Sequence, residues 1–269
     1  MFLEIVRRNC PAVPLRAVIF DFDGTVSLIR EGWQNIMIPY FVEVLTATPD
    51  GRTEDTEDVQ RCVRDFVDVL TGKQTIYQCI ELAEEVKKRH GIPLDPLEYK
   101  HGYHRRLSER IRYRLDELRQ GANPEKHLVP GSVPLLEMLR RNGLKLYLAS
   151  GTDEQFVLEE ATLLGVADYF DGGIYGAKDD YKNFSKAMVI QRIIAENHLN
   201  GTELAGFGDG YVEIQNVHDA GGFTFGVATD EQGRSNVDEW KRKRLVDAGA
   251  DVIIPHYGNL PEIERIFAR

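Results

Sequence analysis

The 269-residue chain is poor in cysteine, in basic charge and in long apolar runs. Its three cysteines, Cys10, Cys62 and Cys79, are odd in number and lack metal-type spacing, so no disulfide framework or cysteine zinc site is expected. They read as reduced core thiols of a cytoplasmic protein. A net charge of −10 argues against a nucleic-acid partner, which would need a basic face. A cleft can still attract a small anion against that global sign. Nowhere do about 18 apolar residues run together, so no membrane span is expected. Residues 1–16 carry Glu4, Arg7 and Arg8 without a long apolar stretch, and no signal peptide is expected either. Internal repeats and low-complexity tracts are also missing. With 42% hydrophobic and 28% charged residues, the remainder is the composition of a soluble globular protein able to bury a sizeable core.

What the chain does have is concentrated in Ala17-Val18-Ile19-Phe20-Asp21-Phe22-Asp23-Gly24-Thr25. The apolar run reads as a buried strand and Gly24 as the turn leaving it. Alternate residues of an extended chain point the same way, so Asp21 and Asp23 project together from the strand's carboxyl end. Two like charges that close need a cation or a shared proton.

From Trp33 to about Gln120 the pattern is helical. Trp33, Ile36, Tyr40, Phe41 and Val44 fall on one face, and Val59, Val63, Phe66 and Leu70 on another. About four helices are expected, as an insertion spanning 29–128. From Pro130 onward strands and helices alternate: helices at 133–141, 153–164, 186–197, 212–220 and 237–248, and strands at 144–149, 170–174, 203–207, 223–227 and 252–254. Such alternation implies an α/β fold, a Rossmann-like, mostly parallel sheet with helices on both faces, formed by 1–28 and 129–269. Ligands of such sheets bind beyond the carboxyl ends of the strands.

Three more segments end strands with polar residues. Ser150-Gly151 delivers a hydroxyl beside a helix start, with Thr152 and Gln155 at capping-box spacing; this is an anion site or an ordinary strand-to-helix turn. Lys186 opens a helix after Asn183 and Ser185 as possible caps, where a cation opposes the helix dipole. That placement suits a polyanion in front of the helix, but Lys178 and Lys182 lie near enough to serve instead, and each lysine also reads as a solvated surface charge. Gly208-Asp209-Gly210-Tyr211-Val212-Glu213 places two carboxylates one helical turn apart. They suit Mg²⁺, or merely favour the helix dipole.

The four segments, in this order across residues 17–221, resemble the haloacid dehalogenase superfamily in its phosphatase branch, close to β-phosphoglucomutase and phosphoglycolate phosphatase. Glu213 stands where many members have Asp, and no Lys-Pro pair marks the lysine. The resemblance implies a phosphoric monoester hydrolase. Asp21 would be the nucleophile of an aspartyl-phosphate pathway and Asp23 the proton donor and acceptor. Mg²⁺ would be held by Asp21, the Asp23 carbonyl and Asp209, with Glu213 in or next to its ligand set. Thr25, Ser150, Gly151 and Lys186 would hold the phosphate, under a helical cap domain. Arg30 and Trp33, just past the first motif, are placed to touch substrate, although Trp33 also suits packing in the first cap helix. The basic run from His104 to Arg112 reads as a substrate contact or a solvated helix face. The expected partner is a small phosphate ester, with sugar phosphates among the candidates, and the chain a monomer or homodimer. Asp23 argues against a dehalogenase, which has no alkoxide to protonate. A phosphomutase and a non-catalytic phosphometabolite sensor are the alternatives.

Overall fold

The computed structural model describes residues 2–181 and 185–267. The apolar run after Arg16 forms strand β2 (Ala17–Phe20), buried along its whole length. It follows a two-residue strand β1 (Glu4–Ile5) and lies in the interior of a seven-stranded sheet. The other strands are β3 (Lys145–Asp153), β4 (Gly173–Ala177), β5 (Leu204–Gly208), β6 (Phe223–Val227) and β7 (Val252–Ile254). The order is β1-β7-β6-β5-β2-β3-β4, parallel except for β1, which pairs antiparallel with β7. Chain progression therefore runs outward in opposite directions from β2, through β3 and β4 on one side and through β5, β6 and β7 on the other. A crevice opens at the carboxyl ends of strands where such an order reverses.

Register makes that crevice chemical. Phe20 pairs with Leu148 on one neighbour and with Phe207 on the other. The Asp21 N–H then donates to the Phe207 carbonyl at 2.9 Å. The residues leaving β2, β3 and β5 consequently emerge at one level of the sheet.

Helices follow their strands: α5 (Ser132–Arg141), α6 (Glu154–Leu163), α7 (Lys186–Glu196), α8 (Tyr211–Asp219), α9 (Glu239–Asp247) and α10 (Leu260–Phe267) come after the helices α1 to α4 of the insertion. On one face of the sheet, Val189 and Ile193 of α7 and Val217 of α8 bury Ala17, Ile19, Tyr147 and Leu204. The residue-by-residue match of β2, β5 and β6 also stacks Phe20 on Phe207 at 4.7 Å and Phe207 on Phe225 at 4.2 Å. Phe267 of α10 lies 5.5 Å from Phe225, and Tyr257 meets Phe207 edge-on at 5.9 Å.

The chain divides into two compact units, Met1–Glu31 with Arg114–Arg269, and Gly32–Tyr113. The second unit holds α1 (Gln34–Thr46), α2 (Thr56–Leu70), α3 (Thr75–Lys88) and most of α4 (Pro96–Arg119). Asp55 caps α2 by accepting the Glu57 N–H at 2.7 Å, and Phe41 of α1 stacks on Phe66 of α2 at 5.9 Å. Arg89, just past α3, pairs with Glu54 at 2.7 Å and with Glu85. Within the basic run of α4, Arg106 pairs with Glu43 at 3.0 Å and lies over the Tyr40 ring.

Several details differ from the sequence reading. The strand expected at 170–174 forms at Gly173–Ala177, after a short 3₁₀ turn at Ala167–Tyr169. The buried stripe of α1 is Met37, Tyr40, Phe41 and Leu45, leaving Trp33, Ile36 and Val44 half-buried. The capping box at Thr152 does not form: β3 continues to Asp153, which precedes α6, and the Thr152 hydroxyl is engaged elsewhere. Strand β1 was not anticipated, since two residues carry no periodic signal.

Phe207 is fully buried at the centre of the aromatic stack. Phe207→Ala is expected to cost about 3–5 kcal/mol of stability. Urea unfolding should show a lower midpoint at an unchanged slope.

Candidate active site

The residues that leave β2 enter a tight turn. Gly24 has φ +74°, and a Cβ there would stand 2.1 Å from Asp209 Oδ2, so only glycine lets the first loop and the loop after β5 approach this closely. The Thr25 hydroxyl, fully buried, accepts the Asp209 N–H at 2.9 Å, and its carbonyl accepts the Tyr257 hydroxyl at 2.7 Å. Thr25 thus ties the two loops together. Its hydroxyl serves the scaffold here as an acceptor.

Asp21, Asp209 and Glu213 each bring a carboxylate oxygen within 4.8 Å of the others. Glu213 sits one turn into α8 and accepts the Gly210 N–H at 3.1 Å. Lys186, the first residue of α7, places its buried ammonium between them, 2.7 Å from Asp21 Oδ1 and 2.8 Å from Glu213 Oε2. Ser185 caps α7 by accepting the Met188 N–H at 3.1 Å, which fixes where that lysine starts. Of the alternatives, Lys178 is exposed, 3.6 Å from Glu154. Lys182 and the possible cap Asn183 lie outside the described residues.

Asp23 turns to a different set of partners. Its Oδ2 accepts the Thr152 hydroxyl at 2.8 Å and the Ser150 hydroxyl at 3.3 Å. Ser150 Oγ itself accepts the Thr152 N–H at 3.0 Å. The other oxygen, Oδ1, is buried without a hydrogen-bond partner, 3.7 Å from Arg30 Nε. Arg30 is buried and forked onto Glu160 of α6, at 2.7 and 3.0 Å. The side chain of Asp23 is not one of the three grouped carboxylates, in keeping with a metal contact through its main-chain carbonyl alone. Gly151 is half-buried in the same strand end. Trp33 precedes α1 in the helical unit and is described only there.

The cluster is strained electrostatically. Burial pushes the Asp21 carboxyl well above its ordinary range, helped by the Glu213 charge and opposed by Lys186. Burial also raises Asp209 to about 6, against the pull of Lys241. For Glu213, burial acts upward, but the Lys186 ammonium holds it below the ordinary carboxylate value. Lys186 stays charged because Asp21 and Glu213 outweigh its burial. Three hard oxygen donors with more negative charge than the lysines offset form a set that fits a divalent cation of the Mg²⁺ type.

Four contributors escaped the sequence reading. Lys241 of α9 lies 2.8 Å from Asp209 Oδ2 and 2.6 Å from Glu231 Oε1. Glu160 holds Arg30, and Thr152, whose spacing suggests a helix cap, donates to Asp23. Lys241 is embedded in Trp240-Lys241-Arg242-Lys243-Arg244, which looks like an ordinary solvated helix face. The structure starts α9 at Glu239, two residues later than the sequence pattern, and only this start puts Lys241 in the first turn, the signal that singles out Lys186.

Among solved structures, the chain is similar to a predicted phosphoglycolate phosphatase from Haemophilus somnus 129PT, at TM-score 0.61 and 15% identity over 94% of this chain and 99% of that one. It is similar to β-phosphoglucomutase from Clostridium difficile, at TM-score 0.63 and 16% identity over 94% and 97%. A predicted phosphatase from Clostridium acetobutylicum gives TM-score 0.61 and 17% identity over 94% and 99%. At these identities the likeness is one of fold. No curated protein matches the chain in sequence. Among the described residues no helix is long and apolar enough to cross a membrane. The family match is independent of these structures and covers residues 15–221, the stretch that contains every carboxylate of the cluster described above, and on it the chain belongs to the haloacid dehalogenase-like hydrolases.

Proposed function

We propose that the protein is a Mg²⁺-dependent phosphatase that hydrolyses a small phosphorylated metabolite through an aspartyl-phosphate on Asp21. The observation that carries this reading is the buried Lys186 ammonium shared by Asp21 and Glu213 beside Asp209, with Asp23 two residues away in a separate hydroxyl-lined environment. Asp21, Asp209 and Glu213, with the Asp23 carbonyl, would hold the cation, whose chemistry is to offset phosphoryl charge and keep Asp21 ionised.

The chain's own residues then divide the work. An Asp21 oxygen attacks phosphorus, forming the acyl-phosphate bond as the ester P–O bond breaks. Asp23 gives its proton to the departing alkoxide oxygen. In the second step Asp23 takes a proton from water as that water's oxygen attacks phosphorus, releasing inorganic phosphate and restoring the Asp21 carboxylate. The Thr152 hydroxyl orients Asp23, while Ser150, turning its longer 3.3 Å hydrogen bond from Asp23 to the substrate, joins the Gly151 N–H in donating to phosphoryl oxygens. Lys186 neutralises charge on the transferring group, and such positioning and neutralisation carry most phosphoryl-transfer catalysis. The helical insertion, 29–128 in the sequence, is in this reading the cap that selects the leaving group, and Arg30 and Trp33, near its first residues, are the substrate-contact candidates. Cytoplasmic location and a monomeric or homodimeric state accompany the proposal.

Phosphate release from a metabolite panel should vanish with EDTA and return with Mg²⁺. Asp21→Asn should lower it by more than about 10⁴ at unchanged circular dichroism; undiminished release would remove Asp21 as nucleophile. A sugar phosphate isomerised faster than it is hydrolysed would replace hydrolysis by mutase chemistry.

Asp23→Asn should lose about 10²–10⁴ on alkyl phosphates. On p-nitrophenyl phosphate, whose leaving group needs no proton, it should show a burst of nitrophenolate followed by slow turnover. Equal losses on both substrates, without a burst, would take the proton-transfer role away from Asp23. Lys186→Ala should lose about 10²–10³ in kcat while Lys178→Ala keeps wild-type rates; the reverse pattern would move the phosphate lysine.

A further inference from the structure

Lys241 has no part in the two chemical steps above, yet it is 9% exposed and its ammonium is held between two carboxylates. It is the third residue of α9, and its own N–H is bound by the Asp238 cap at 3.0 Å. A cation in the first turn opposes the helix dipole, and burying it adds a desolvation cost. Both costs are met by specific partners: Asp209 Oδ2 at 2.8 Å, and Glu231 Oε1 at 2.6 Å from the loop after β6.

That loop is itself anchored. The Thr229 hydroxyl donates to the Pro255 carbonyl at 2.5 Å, and the Asp230 N–H to the Asn236 carbonyl at 3.1 Å. Glu231 is therefore presented from a fixed segment, and the chain Glu231–Lys241–Asp209 links that segment to the carboxylate cluster. One oxygen of Asp209 is committed to the ammonium.

Charge supplies the second half of the argument. Asp21, Asp209, Glu213 and Glu231 are four carboxylates, and Lys186 and Lys241 are the two ammonium groups bound to them. With all four ionised, the state a bound cation favours, four minus two leaves two negative charges, the complement of one divalent cation. Without Lys241 the surplus would be three, and Asp209 would be open to cations through both oxygens.

We propose that Lys241 is a positioning residue for the metal centre, a resident cation that anchors Asp209 to Glu231 and limits the cluster to one loosely held divalent ion. The inference rests on Asp209 being a metal ligand, as in the function proposed above. It predicts opposite effects on metal affinity from the two ends of the chain of contacts. Neutralising Lys241 removes a repulsive charge and tightens binding; neutralising Glu231 removes an attractive one and leaves Asp209 to the lysine alone.

The test is Mn²⁺ binding to the full chain stripped with EDTA, read as free Mn²⁺ by electron paramagnetic resonance, without substrate. Wild type should bind one ion. Lys241→Gln, which keeps hydrogen-bond donors, should bind at least about tenfold tighter, the scale on which one charge a few ångströms away acts on a divalent ion even in water. Glu231→Gln should bind at least threefold more weakly, and Lys241→Arg should stay near wild type. A purely structural role would weaken binding in both neutral variants, so weaker or unchanged binding by Lys241→Gln overturns the proposal. If that variant does not fold, unchanged or tighter binding by Glu231→Gln overturns it. A wild type that binds no Mn²⁺ defeats the metal reading itself and this inference with it, a result distinct from binding that the variants fail to shift.

Discussion

The ion pair on which the site depends is the buried ammonium of Lys186 between Asp21 and Glu213. Carboxylates gathered in a poorly solvated place repel one another and lose hydration, and nothing in their own chemistry would bring them together. The sheet does so mechanically. Parallel register carries Asp21 and Asp209 out of adjacent strands at one level, and the first turn of α8 returns Glu213 to the same point. A helix on one face of the sheet then supplies the compensating charge. The hydrophobic packing of Val189, Ile190 and Ile193 holds α7 in place, so the position of the lysine is set by apolar burial as much as by electrostatics.

Close approach is the second constraint. A Cβ at Gly24 would collide with the Asp209 carboxylate, and one at Gly208 would stand 2.2 Å from Glu213 Cγ. Two glycines, one before and one within the carboxylate-bearing loops, keep the space in which the acidic groups meet. Thr25 and Tyr257 complete the tie by hydrogen bonds that involve only the scaffold. Much of what surrounds the first motif thus serves to hold loops at short distance.

The sheet was legible wherever a strand was short, apolar and bounded by a glycine, carboxylate or proline: β2, β6 and β7 occupy the residues expected of them. Lys186 was legible because a cation at a helix start contradicts the usual preference. What remained hidden depends on contacts between segments far apart in the chain. Thr152 has the spacing of a helix cap and yet points at Asp23, because β3 runs four residues further than its apolar pattern. Glu160 lies 130 residues from Arg30, and no local pattern marks their pairing. The stripe of α1 was displaced because several apolar residues compete for one helix face, and packing against α2 decides among them.

Asp21 and Asp23 share a strand end but not an environment, and this difference follows from the sheet order. Asp21 faces β5 and the lysines' side of the crevice, where fixed cations and neighbouring carboxylates set its charge. Asp23 lies just before the Gly24 turn, toward β3, where its neighbours are hydroxyls and a guanidinium already forked onto Glu160. A carboxylate fully neutralised by a cation would be a poor proton carrier, and one surrounded only by hydroxyls would be a poor partner for a metal. Strand reversal at β2 gives one dipeptide step access to both kinds of surroundings. Two residues of identical chemistry can therefore be given distinct tasks by the strands on either side of them.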